Sequence, residues 1–149
     1  MTGPVAIVGG LTVREGGRDK AYRPIPAAER RTALDAALAA WERDDWFEAH
    51  ELLEPAWMGT ADPVERDLYQ GLIKLAAAYV HRARGNGLGM AKNLAGADAR
   101  LRAVVAQAPA VAGIDVRGLL DDVALRRPES GRGADLSTAP PVVRRLEER

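Results

Sequence analysis

The chain has 149 residues, 21 Lys and Arg balanced by 21 Asp and Glu, 47% apolar residues and no cysteine. That length supports one domain with a real core, and zero net charge argues against a dedicated nucleic-acid or anionic-membrane binder, whose affinity rests on excess positive charge. The absence of cysteine rules out disulfides and thiolate metal sites and suits a reducing compartment.

Residues 1 to about 24 carry Gly9, Gly10, Gly16 and Gly17, with Arg14, Arg18, Lys20 and Arg23 between them. They read as an extended arm with one short strand at Val5–Val8. VAIVGG does not make a dinucleotide fingerprint, because TVREGGRDK behind it is a poor helix start. The apolar run Pro4–Leu11 is too short for a signal segment, and no basic residue precedes it. Nothing approaches the roughly 18 continuous apolar residues of a spanning helix. A soluble, cytoplasmic protein is the expectation.

From Pro26 the pattern turns helical. Ala33, Leu34, Ala37, Leu38 and Trp41 recur at three- and four-residue spacing, which predicts a first helix over 26–43. Asp44 or Asp45 caps a second over 45–58, which Gly59 ends. Asp62-Pro63 opens a third and Gly85 closes it. A fourth spans about 88–108 and stops before Pro109. Asp115 caps a fifth that ends near Arg127. Short connections make neighbouring helices antiparallel. The expected fold is all-α: a single antiparallel bundle of about five helices over 25–127, between the arm (1–24) and an irregular tail or strap (128–149).

Two stripes interrupt the apolar faces. In WFEAHELLEPAW, Trp46, Ala49, Leu52, Leu53 and Ala56 share one arc, and His50, Glu54 and Trp57 share the next, with Glu51 beside them. In the third helix Leu68, Leu72, Leu75, Ala76, Tyr79 and Ala83 form the core arc, while Gln70, Lys74 and His81 follow another. The chain's two histidines thus stand beside core faces on consecutive helices. If the stripes face one another, His50, Glu51, Glu54, Gln70, Lys74 and His81 converge.

WFEAHELLEPAW, YQGLIKLAAAYVH and RGNGLGMAKNL, in that order over about residues 41–101, resemble an all-helical prokaryotic family, domain of unknown function 309, whose members are sometimes labelled predicted metal-dependent hydrolases. The resemblance makes His50, Glu51, Glu54, Gln70, His81 and Asn86 the counterparts of its signature residues. Pro55 and Met90 depart from the pattern. Pro55 removes the N–H that would bond the Glu51 carbonyl and predicts a bend.

Three readings of the cluster compete. In the first, His50, Glu54 and His81 hold zinc, iron or manganese and Glu51 acts as base on bound water, a metal-dependent hydrolase. In the second, the side chains satisfy one another as an interhelical network, and the protein is a non-catalytic binding or structural module. Lys74 favours this one, because an ammonium repels a divalent cation and neutralises a carboxylate by itself. The third is a pocket for a small organic anion or other small molecule. RGNGLG, with Arg82, Arg84 and Lys92 nearby, reads mainly as a tight turn and secondarily as a phosphate cradle. Trp41, Trp46 and Trp57 read as core or rim anchors before a ligand cage.

Overall fold

The computed structural model describes residues 23–146 in full and, before them, the backbone of three strands. The elements are β1 (Ile7–Val8), β2 (Thr12–Glu15), β3 (Arg18–Ala21), α1 (Ala27–Glu42), α2 (Trp46–Met58), α3 (Pro63–Ala83), α4 (Gly87–Val105), β4 (Ala110–Val111), β5 (Ile114–Asp115) and α5 (Val116–Arg126). The chain is mostly α-helical, as its periodicity requires.

The arm differs from expectation. It holds an antiparallel β1-β2-β3 sheet in which Val13 lies opposite both Ile7 and Lys20. The missed signal was TVRE and RDKA on either side of Gly16-Gly17, the spacing and composition of a two-residue hairpin. Val5 and Ala6, the start of the expected strand, lie outside the described residues.

Caps set the helix starts. The carboxylates of Asp45, Asp62 and Asp115 accept from Glu48 N (3.2 Å), Val64 N (3.0 Å) and Gly118 N (3.0 Å). Asp44 has a different part: with φ 64° it occupies the left-handed position after α1. Its N–H reaches Trp41 O and that of Asp45 reaches Ala40 O, the paired bonds of a Schellman stop. Gly85, with φ 72°, ends α3 the same way, through Gly85 N to Arg82 O and Asn86 N to His81 O. α4 ends at Val105, short of the expected Ala108. A β4-β5 hairpin follows, turning at Ala112 and Gly113 with φ 53° and 76°, the two positive values of a type I′ turn.

Aromatic contacts fix the antiparallel packing of α2 on α3. Trp46 meets Tyr79 with ring centroids 5.4 Å apart, and at the other end the Arg66 guanidinium lies 4.8 Å from the Trp57 ring centroid. Trp41 joins the first cluster edge-on, 4.7 Å from Trp46 and 5.6 Å from Tyr79. All three tryptophans are buried. Ala83, placed on the core arc by periodicity, is exposed at the last turn of α3. Along α3 and α4, Asp67 pairs with Arg100 at 3.0 Å, and Gly71 abuts Leu101.

Polar ties join the remaining pieces. Glu65 accepts from Arg30 (2.6 Å) and from the Tyr69 hydroxyl (2.7 Å), joining α1 to α3. Burial, with the Glu65 carboxylate alongside, pushes the Tyr69 phenol well above its ordinary value. Asp98, buried in α4, is held by Arg102 at 3.0 Å and by Arg127, beyond α5, at 3.3 Å.

Residues 128–146 lie across the bundle as a strap held by backbone carbonyls. Thr138 O accepts from Arg82 (2.7 Å), Ala139 O from Arg126 (2.7 Å) and Pro141 O from the Trp41 indole (3.1 Å). Farther on, Asp115 N donates to Arg144 O and Leu146 N to Gly113 O, laying the strap beside β5. Among the described residues no helix is long and apolar enough to cross a membrane.

Replacing Asp98 with Ala should lower stability by about 2 kcal/mol, the scale of hydrogen bonds to charged groups, whereas Asp98→Asn, which keeps an acceptor, should lose less. Urea unfolding of both variants checks this; equal losses would mean that side-chain volume, not charge pairing, matters at this position.

Candidate functional site

The α2 stripe is built as its periodicity predicts. Trp46, Ala49, Leu53 and Ala56 are buried, Leu52 is half-buried, and His50 and Glu54 stand half-buried on the flank. α2 runs unbroken through Pro55. The His50 imidazole contacts its own neighbour, with Nδ1 3.3 Å from Glu51 Oε2. Glu51 is largely solvent-exposed.

The α3 stripe is turned to α4. An added Cβ on Gly96 would sit 2.7 Å from Lys74 Cδ, and one on Gly89 would sit 2.5 Å from His81 Nδ1. Lys74 and His81 are seven residues apart on α3, and Gly89 and Gly96 are seven apart on the antiparallel α4. Each long side chain therefore lies across a glycine on the facing helix. The lysine stem packs there through its methylenes. Gln70, half-buried, belongs to the same flank of α3.

His81 is held in one tautomer. The Asn86 side-chain oxygen accepts from Gly89 N at 2.9 Å, capping α4, so its amide nitrogen faces His81 Nδ1 at 3.1 Å. An amide nitrogen only donates, so Nδ1 accepts and the ring proton of the neutral imidazole sits on Nε2. A ligating histidine has the opposite arrangement, giving its second N–H to an acceptor.

The residues expected to converge divide into two groups. Among the described residues no hydrogen bond or ion pair joins His50, Glu51 or Glu54 to Gln70, Lys74 or His81. Register explains the division. The Trp46–Tyr79 and Trp57–Arg66 crossings put His50 level with Lys74 and Leu75, and Glu54 level with Gln70. At 1.5 Å per residue His81 lies about 10 Å farther along the axis. The set His50, Glu54 and His81, with Glu51 as base, does not suit zinc, iron or manganese at bonding distances near 2 Å. Among the described residues no group of three or more His, Cys, Asp or Glu is placed to hold a metal ion. The interhelical network also takes another form: Lys74 meets glycine in place of a carboxylate, and the hydrogen bonds formed are His50–Glu51 and His81–Asn86.

RGNGLG is the tight turn, occupied by its own groups. Asn86 takes up the Gly89 N–H at the start of α4, and Arg82, one of the nearby cations, points to the strap and stacks 5.1 Å from the Tyr79 ring centroid.

Residues 34–93, from the middle of α1 to the second turn of α4, match the family model of the domain of unknown function DUF309. Over that segment, which is less than half of the chain, the protein is similar to this family. The match takes in every residue of both stripes, together with Asn86 and Gly89, and it stops before Gly96. No curated protein and no solved structure matches the chain. Sequence reasoning missed Gly89 and Gly96 as partners of the stripe. The available signal was their seven-residue spacing, equal to that of Lys74 and His81.

The two glycines should respond differently to alanine, which by helix propensity alone adds up to about 1 kcal/mol of stability. Gly89→Ala should lower stability by about 1–2 kcal/mol, since the His81 ring and the Asn86 cap must both give way. Gly96→Ala should be near neutral, because the Lys74 stem can swing aside. Thermal unfolding of the two variants checks the contrast, and a stabilised Gly89→Ala would refute the close approach.

Proposed function

We propose that this protein is a non-catalytic binding or structural module whose α2–α4 polar residues set helix register. The observation that supports this most directly is the Asn86 amide presented to His81 Nδ1, which commits that imidazole to the α3–α4 corner. Lys74 laid across Gly96 points the same way, since its charge is carried on a stem used for packing. The cytoplasm is the compartment we assign, because a sequence without cysteine suits a reducing one.

On this reading Asn86→Ala removes a helix cap and should cost about 1 kcal/mol. His81→Ala should cost a similar amount, and the double variant less than the sum, because the two side chains share one interaction. Titration calorimetry with zinc, manganese and iron(II) should show no stoichiometric binding. Uptake of one ion per chain that His81→Ala abolishes would sink the reading in favour of a metal-dependent enzyme.

A further inference from the structure

A pocket of about 240 Å³ opens away from the polar stripes, between the end of α1, the start of α2 and the strap. Its floor is Leu38, Trp41 and Trp46, and its far wall is the strap from Pro140 to Val143. The Trp41 indole N–H is already bonded to Pro141 O, so the strap and the aromatic floor are tied together. Only two charged side chains line the pocket, Glu42 and Asp44, both carboxylates and both exposed. Neither makes an ion pair or side-chain hydrogen bond among the described residues.

The chemistry of that lining selects its occupant. Trp41 and Trp46, packed together with Tyr79, give the lining aromatic surface suited to an apolar or aryl body. Apolar walls take an uncharged body, and two carboxylates without a basic residue in the lining disfavour an anion. Arg43 lies between them in sequence but is not part of the lining. Asp44 is also held where glycine is the usual residue. Its backbone is left-handed, with φ 64°, and Asp44 lines the pocket.

We infer that this pocket is a binding site for a small organic cation: an ammonium group carried on an apolar or aryl body, with the body against Trp41 and Trp46 and the charge beside Glu42 and Asp44. The ammonium comes either from a free amine or from a lysine side chain presented by a peptide. The site gives the binding-module reading a ligand class, and rests on that reading. Failure here leaves the register role of His81 and Lys74 untouched, since that role is read from stability.

The test uses the full chain and indole fluorescence, with side-chain N–H resonances of Trp41 and Trp46 to locate binding. Phenethylammonium is the probe, with phenethyl alcohol and phenylacetate as neutral and anionic analogues. Phenethylammonium should bind at least about ten-fold more tightly than either, weaken with added salt, and shift the Trp41 and Trp46 resonances. Asp44→Asn, which tolerates the left-handed backbone, and Glu42→Gln should each weaken it about three- to ten-fold with unchanged thermal stability. A blocked lysine amide run alongside separates the sources, tighter binding than phenethylammonium indicating a peptide and weaker binding a free amine. Equal binding of the alcohol, retained affinity in the Asp44→Asn/Glu42→Gln double variant, or unmoved Trp41 and Trp46 resonances would each overturn the site.

Discussion

The close approach of α3 and α4 is the constraint from which most of the interior follows. Gly89 and Gly96 on one helix remove the side chains that would otherwise stand opposite His81 and Lys74 on the other. At a third crossing Gly71 of α3 removes its own side chain to admit Leu101. The backbones approach closely at these glycines, and half-buried polar groups beside them find local partners. Asn86 is the partner at one end, and the Asp67–Arg100 pair forms at the other.

The polar stripes then acquire a different meaning from the one their composition suggests. An imidazole, two carboxylates and an ammonium on adjacent helices look like the parts of a reaction centre. Antiparallel register separates the two histidines along the bundle axis, and the hydrogen-bond directions at His81 Nδ1 favour an amide donor over a metal. On the reading proposed above, these groups orient α3 against α4. The half-buried Glu54 and Gln70 stand level with each other on the flank and complete the stripe without entering a shared centre.

The strap gives the molecule its second chemical region. By itself a segment with this much Gly, Pro and charge buries little apolar surface. Here it is retained because Arg82, Arg126 and the Trp41 indole each supply a donor to one of its carbonyls, and because Pro141 is buried with Val143 packed against the core. Its passage beside Trp41 and Trp46 closes one wall of the acidic-mouthed pocket. That pocket contains none of the residues of the polar stripes.

The helices, their caps and their buried arcs were legible in the sequence, because the 3.6-residue period, aspartate caps and Gly85 act within a few residues of one another. The resemblance to DUF309 was legible too, carried by WFEAHELLEPAW, YQGLIKLAAAYVH and RGNGLG. Gly16-Gly17 carried a hairpin signal that was overlooked, and the fourth helix ended earlier than its pattern because Ala110–Asp115 forms a hairpin of its own. Whether His50 and His81 meet could not be read locally. It depends on how far one helix slides along another, which large rings such as Trp46, Tyr79 and Trp57 set from a distance in sequence. The partner of Lys74 and the wall opposite Trp41 come from residues 22 and 100 positions later in the chain, respectively. The sequence determined which surfaces seek burial. Only the tertiary structure decided which of them find one another, because that choice rests on register and shape, not on the local spacing of residue types.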